Sequence, residues 1–450
     1  MPELTLRQAA AYCGGRVDEK YADCKICGAN NDTRLIQPGQ LFIVLQGARD
    51  GHDFIPMAMD RGAGAALCSR RVGDYPAIYV DDPRTALGRI ARETLKAMAP
   101  KVVAVTGSVG KSTTKEMIAS VLETKYRTAK TPANHNNDIG MPMAILGMAA
   151  DTQAAVLEMG MNHFREIAYL SDIARPQVGV IINVGTAHLE FLGSRAGIRR
   201  AKMEITEGMA PEGTLLLNGD NDMLAALEER PVQSLHYFGC GENAAVRGSH
   251  VVQTEGRLAF DITAGGTSFP VELALEGEHF VSDALAAAAV GLALGLSAEE
   301  IQRGLRAFRN ISGRQETYRA GEYTIINDCY NAGPESMAAS LQVLGTKKAR
   351  RLAVLGDMLE LGDYAPAAHE KVGRLAAKNA DLLFAFGPHA ADMLAGAEAE
   401  GMTACQAFDS RQALAAALRA AALPGDVLLF KASHGMHLEQ VIGAFLKQDR

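Results

Sequence analysis

Tryptophan is absent from the 450 residues, and the other aromatics are sparse, at 14 Phe and 11 Tyr. A surface of stacked aromatic platforms, of the kind that grips single-stranded nucleic acid, has little to be made from. An excess of one charge is also missing. Forty-five Lys and Arg against 52 Asp and Glu leave a formal charge of −7, without the basic bias of a general nucleic-acid binder. No apolar run reaches the roughly 20 residues of a membrane span. The longest, 284–298, is mostly Ala and Gly and reads as a closely packed core helix, so no membrane insertion is expected. The first residues carry no basic stretch leading into an apolar run, and no secretory signal is expected. Cysteine is scarce and odd in number, seven in all, which suits a reducing cytoplasm. Cys24 and Cys27 have no second pair or His at zinc spacing and read as ordinary thiols on a loop.

What is present is the composition of a folded chain. The residues are 48% hydrophobic and 22% charged, which excludes a disordered or collagen-like protein. At roughly 150 residues per domain the length accommodates about three domains. The fold class expected is α/β with three domains: a small N-terminal α/β domain over 1–98, a central P-loop-type, mostly parallel sheet over 99–313, and a Rossmann-like domain over 314–450. In the first, the runs 41–47, 64–69 and 77–80 read as strands with helical patterns between and after them, and Pro100 marks a boundary. In the second, 101–107, 154–160 and 178–185 are continuous apolar runs suited to strands buried on both faces. Alternating runs at 249–262 and 267–275 suggest antiparallel edge strands. The Ala-rich helix is expected to run to about residue 296, and Ser297 with Glu300 forms a capping box for the next helix. In the third, 323–328, 351–357, 382–388 and 426–433 are strand candidates. The basic run 347–351 reads as a solvated helix end or loop.

The strongest local signal is Thr106-Gly107-Ser108-Val109-Gly110-Lys111-Ser112-Thr113, set between a buried strand and a helix. In that context successive backbone N–H groups cradle phosphate, Lys111 neutralises it and the Ser112 hydroxyl can hold Mg²⁺. The general nucleotide loop has four residues between its first Gly and the Gly-Lys pair; here Val105 occupies that first position. Glu158 ends the next apolar strand, where a carboxylate either holds Mg²⁺ or simply caps and solvates. His188 lies just beyond the strand that follows, at the same sheet edge, although imidazole is an unusual ligand for hard Mg²⁺. Lys202 reads as a surface lysine on a helix. Asn134, Asn136 and Asn137 form an amide-rich loop, either a substrate reader or a plain turn. At the start of the third unit, Arg314 can reach phosphates across a cleft. Asp328 can take a ribose hydroxyl, unless it and Asn331 only cap a turn.

These segments together resemble the Mur ligases, the ATP-dependent amide-bond ligases of peptidoglycan assembly. The resemblance spans the chain: a shortened phosphate loop, Asn134-x-Asn-Asn-x-x-Gly140, Glu158-Met-Gly-x-Asn162-His163, His188-Leu-Glu, Lys202-x-Glu-Ile, Gly313-Arg314, Asp328-Cys-Tyr-Asn331-Ala, the run 355–362 and Lys431-Ala-Ser. It implies ATP binding by Gly107 to Thr113 with Arg314, Asp328 and Asn331. It implies Mg²⁺ held by Ser112, Glu158 and His188, and a CO₂-derived carbamate on Lys202 as a further metal ligand. Catalysis falls to Lys111, Glu158, His188 and Lys202. Thr33, Arg34 and Arg49 would bind the UDP end of the substrate, with Asn134, Asn137 and Lys431 as further substrate contacts. The run 355–362 and the Asn-rich loop point to the member that joins D-alanyl-D-alanine to UDP-N-acetylmuramoyl-tripeptide in the cytoplasm. The chain is expected to act as a monomer. Two segments depart from the family pattern: His-Asn-x-x-Asn is replaced by His279-Phe280-Val281-Ser282-Asp283, which alters the expected adenine contacts, and Lys-Gly-Ser by Lys431-Ala432-Ser433, a small change expected to leave the role of Lys431 intact. The rivals are a folylpolyglutamate- or cyanophycin-type ligase and a P-loop ATPase that couples hydrolysis to motion.

Overall fold

A computed structural model describes residues 3–227, 232 and 234–447. Three large sheets follow one another along the chain, and Leu4–Thr5 and Lys25–Ile26 form a small antiparallel pair beside the first. In the first, Ala29–Asn30, Leu41–Ile43, Ala65–Cys68 and Ala77–Tyr79 are parallel, and Arg16–Val17 adds an antiparallel edge. Alternation along these strands feeds two faces. Leu41 and Ile43 point to helices Leu6–Cys13 and Pro83–Met98, while Phe42 and Val44 point to helix Ile55–Asp60. The long helix starts one turn earlier than its apolar pattern, because Asp82 accepts the Arg84 and Thr85 N–H groups and Pro83 occupies the first turn. Its apolar face also meets the central unit, so the first two units share one core.

The central sheet has nine strands. Thr128–Lys130, Ala154–Glu158, Lys101–Thr106, Val178–Ile181, Thr214–Asn218, Ser234–Gly239 and Val246–Thr254 lie parallel in that spatial order. Arg257–Ala264 and Thr267–Leu273 then complete an antiparallel edge. Val103 and Val105 enter one apolar core, Val102 and Ala104 the other, which is why 101–106 reads as unbroken hydrophobic sequence. The third sheet runs Glu316–Ala320, Tyr323–Asp328, Val427–Lys431, Arg351–Gly356, Leu382–Phe386, Cys405–Phe408, antiparallel only at its first pair.

Several expectations are corrected. The run 249–262 is not one strand but parts of two, since Gly256 (φ +73°) turns the chain between Val246–Thr254 and Arg257–Ala264. The Ala-rich helix spans His279–Ala293 and stops short of 296, with Gly295 left-handed behind it. Thr128–Lys130, Ser234–Gly239, Glu316–Ala320 and Cys405–Phe408 are strands that carry no apolar run long enough to announce them. The basic run is not wholly solvated. Lys347 is partly buried in an ion pair with Glu276, and Arg351 begins a strand. Among the described residues no helix is long and apolar enough to cross a membrane, and all seven cysteines are free.

Candidate active site between the central and C-terminal domains

Lys101–Thr106 lies between Ala154–Glu158 and Val178–Ile181, strands reached in opposite directions along the sheet. At such a reversal the carboxyl ends of the strands open a crevice. The loop after Thr106 turns through Gly110 at φ +85° into helix Lys111–Leu122, aiming the helix N-terminus at the crevice. Lys111 Nζ donates to the Gly107 carbonyl at 2.9 Å, a contact a phosphate oxygen can replace. Asn183, which the sequence reading passed over, braces the loop. Its Oδ1 accepts from Ser108 N (2.9 Å) and Val109 N (3.0 Å), and its Nδ2 donates to the Val109 carbonyl.

Ser112 Oγ donates to Glu158 Oε2 at 2.7 Å. Glu158 is buried, and its other oxygen accepts from Asn136 Nδ2 at 2.9 Å. Thr131 Oγ1 accepts from the Glu158 N–H, and the buried Lys115 Nζ bonds the Thr131 carbonyl and stands 3.7 Å from Glu158 Oε2. Of the amide loop, then, Asn136 is the residue that touches the carboxylate. Asn137 Oδ1 is spent on the Ile139 and Gly140 N–H groups, and Asn134 is exposed. His188 sits at φ +63° with Nδ1 2.8 Å from Glu360 Oε2.

Lys202 is the largest departure from the sequence reading. It is 1% exposed, not a surface residue. Burial and then the nearby charge of Lys111 pull it well below its ordinary pKa. The neighbours Arg199 and Arg200 are not the cause. Arg199 bonds the Met223 carbonyl, and Arg200 lies over the Phe164 ring. Lys111 is also lowered, by burial first, with Glu158 opposing.

The C-terminal domain closes the other wall. Arg314 Nη2 donates to Ser112 Oγ at 2.7 Å and its guanidinium lies 3.8 Å from the Tyr330 ring centroid. Asp328 is fully engaged: it accepts from Gln315 N (3.0 Å), Ser340 Oγ (2.5 Å) and Lys431 Nζ (2.5 Å). Lys431 also bonds the carbonyl of the exposed Asn331 at 3.1 Å. A cavity of about 1260 Å³ joins these groups, lined by the loop Ser108 to Thr113, Asn134, Asn137, Glu158, His188, Arg314, Asp328, Asn331 and Lys431. Gly107 and Lys202 are not among its lining residues. Thr33, Arg34 and Arg49 do not line it. They sit on the N-terminal domain, where Arg34 pairs with Asp32 and Thr33 approaches Met57 Sδ.

Two oxygens of different type, the Ser112 hydroxyl and the Glu158 carboxylate, meet at the mouth of the phosphate loop, a donor set that fits a hard divalent cation. No cluster of three or more His, Cys, Asp or Glu occurs among the described residues, so phosphate and water would supply part of a cation's shell there. Lys111, Arg314 and a helix N-terminus converging on one cavity supply the field of a polyphosphate site. Because one cation comes from a separate domain, the class is that of enzymes that work on nucleotide phosphates in an interdomain cleft.

Comparison with known proteins narrows this. The chain matches the Mur ligase middle domain over residues 105–291 and the Mur ligase, glutamate ligase domain over 313–434. It is 37% identical to the UDP-N-acetylmuramoyl-tripeptide–D-alanyl-D-alanine ligase of Bacillus subtilis, covering 98% of each chain. It is 39% identical to that of Synechocystis, covering 95% of this chain and 93% of the relative. A solved MurF from Acinetobacter baumannii superposes with a TM-score of 0.92 at 32% identity, over the whole of both chains. A MurF ligase from Thermotoga maritima in complex with ADP gives 0.83 at 30% identity, covering 93% and 97%. The chain belongs to the Mur ligase family.

Proposed function

We propose that this protein joins D-alanyl-D-alanine to UDP-N-acetylmuramoyl-tripeptide at the expense of ATP, in the synthesis of peptidoglycan precursor. The tripeptide's terminal carboxylate attacks the γ-phosphate of ATP, forming an acyl phosphate and releasing ADP. The amine of the dipeptide then attacks the acyl carbon and expels phosphate. The observation that carries this reading is the Ser112 hydroxyl, which bonds Glu158 and Arg314 at once and so ties the phosphate loop to the opposite domain. Lys111 and Arg314 would spread the charge of the migrating phosphoryl group, and the loop Gly107 to Thr113 would hold the phosphates in line through the N–H groups that Asn183 leaves free. Asp328 and Asn331 lie at the wall assigned to the nucleoside. Asn134, Asn137 and Lys431 would contact the peptide substrates, Lys431 from beside the nucleoside groups through its bonds to Asp328 and the Asn331 carbonyl.

Mg²⁺ bound by Ser112, Glu158 and His188 would neutralise phosphate charge during the transfer. Lys202 would serve as a carbamate. Its burial without a counter-ion, beside another cation, favours the neutral amine that reacts with CO₂, and an anion at that point relieves the repulsion with Lys111. The domains divide the work: 1–98 takes the UDP end through Thr33, Arg34 and Arg49, 99–313 takes ATP, and 314–450 closes over both and excludes water from the acyl phosphate. UDP-linked substrates and seven unpaired thiols suit a cytoplasmic enzyme. The test is ATP turnover with UDP-N-acetylmuramoyl-tripeptide, with and without D-alanyl-D-alanine, and product masses read by mass spectrometry. The expected product is the pentapeptide, formed with one phosphate per bond. Phosphate release indifferent to the dipeptide, with no pentapeptide, would favour a motion-coupled ATPase instead.

A further inference from the structure

The segment 355–362 makes none of the contacts to the phosphate loop described above, yet it is held more firmly than a connecting loop requires. Met358 N donates to His369 Nε2 at 2.9 Å, and the buried His369 is itself fixed by the Ala365 carbonyl and stacked on His389. Leu359 N donates to Ser433 Oγ, Ser433 N donates to the Asp357 carbonyl, and the Asp357 carboxylate accepts from His389 N. Met358 and Leu361 are anchored in the core at 1% and 4% exposure. Between those anchors Glu360 is turned outward at φ +63°, a conformation rarely adopted without a reason by a residue bearing a Cβ. It points across the domain boundary at His188, which is left-handed too, also at φ +63°. Glu360 Oε2 and His188 Nδ1 lie 2.8 Å apart. Nδ1 is sealed from solvent and has no aligned hydrogen-bond acceptor in this arrangement, so a small rotation of either side chain completes the bond.

We propose that Glu360 is a positioning residue for His188: its carboxylate, delivered by the C-terminal domain, accepts the Nδ1–H and leaves the Nε2 lone pair directed at the metal position. A neutral imidazole has one N–H and one lone pair, and the partner of the first nitrogen decides which way the second is presented. This rests on the reading of His188 as a Mg²⁺ ligand and adds to it a domain-closure requirement. His188 belongs to the central domain and Glu360 to the C-terminal one, so the donor atom is aligned only while the two domains are seated together. The pairing also accounts for a carboxylate on the wall of a phosphate cavity, where an unengaged negative charge would oppose the nucleotide.

The full-length protein with a non-hydrolysable ATP analogue and Mn²⁺ as the probe tests this by pulsed electron paramagnetic resonance. Glu360→Ala is expected to bind Mn²⁺ about 10- to 100-fold more weakly and to lose the histidine ¹⁴N modulation, while its melting temperature stays near the parent's. Glu360→Gln is expected to retain the modulation with a smaller loss, because the amide oxygen still accepts from Nδ1–H. Parental affinity and modulation in Glu360→Ala would overturn the proposal. So would a Glu360→Gln loss equal to that of Glu360→Ala with the modulation intact, which would make the carboxylate a ligand in its own right. His188→Ala separates the two claims. If it binds Mn²⁺ like the parent, the ligand reading falls and this one with it. If it weakens Mn²⁺ while Glu360→Ala does not, only this one falls.

Discussion

Replacing Asp283 by Asn should make the protein more stable at alkaline pH and leave it nearly unchanged in acid. Asp283 stands where the family pattern has Asn. It is 4% exposed, its Oδ1 accepts from Thr114 Oγ1 at 2.5 Å, and a Cβ built on Gly110 would meet that oxygen at 3.0 Å. The carboxyl therefore lies directly behind the phosphate loop. Burial raises it from 3.8 to about 7, against the opposing hydrogen bond from Thr114 and the charge of Arg314. Between those two values the folded chain holds a proton that the unfolded chain has released, so stability falls as pH rises through the window and levels off above it. At about 1.4 kcal/mol per pKa unit, the fold loses about 4 kcal/mol across that range. Asparagine keeps the acceptor for Thr114 and cannot ionise. Urea unfolding of parent and Asp283→Asn should give a stability difference that grows by about 4 kcal/mol from near pH 4 to about pH 8. The Asn protein should also bind a non-hydrolysable ATP analogue more tightly at the alkaline end, where the parent places an anion behind the phosphates. Parallel pH–stability curves for the two proteins would refute the reasoning.

Lys111→Ala should abolish ligation without loss of fold, since among the described residues its Nζ bonds a single backbone carbonyl; circular dichroism and a turnover assay check both halves. Lys431→Met should cost about 3–5 kcal/mol by chemical denaturation, because it strands the buried Asp328 carboxylate, and a Lys431→Met/Asp328→Asn pair should cost less than the two single losses added together. Lys202→Ala should be nearly inactive, with partial recovery on adding short carboxylic acids; near-parental turnover in both CO₂-depleted buffer and bicarbonate would remove the carbamate. Unmodified Lys202 also sets a slope opposite to that of Asp283. Between its lowered pKa and the ordinary 10.5 the unfolded chain binds the extra proton, so stability rises with pH there, and Lys202→Met should flatten that rise.

The elements most legible in the sequence are those whose local signal and tertiary environment agree. Strand 101–106 is apolar at every inner position because both its faces are buried, and Gly110 announces a turn that needs positive φ. Ser297 and Glu300 close the reciprocal cap their spacing implies. Strand ends also carry Glu158 to the crevice, because a parallel α/β sheet places all its carboxyl ends on one edge. Short strands such as Thr128–Lys130 and Cys405–Phe408 were not legible, since an edge position asks for little apolar sequence.

What the sequence determined by itself is therefore the three-domain α/β architecture, the phosphate loop and the family. Each is encoded in contiguous residues, as hydrophobic runs that match a strand's or helix's burial and as glycines and a lysine at fixed offsets. What tertiary structure alone decided is charge and burial between distant segments. Lys202 reads as a surface lysine on its own helix, and only the packing of the central domain buries it beside Lys111. Asp328 reads as a cap or ribose contact, and the sheet register turns it into the partner of Lys431, 103 positions away. Asn183 and Glu360 lie in runs that the sequence marks as a strand and as a family segment, but their partners are far away in the chain: one braces the phosphate loop and the other faces His188 across a domain boundary. The physical reason is the range of the interactions: backbone propensity and hydrophobic period act within a few residues, whereas desolvation and pairing of charge depend on which surfaces the folded domains bring together.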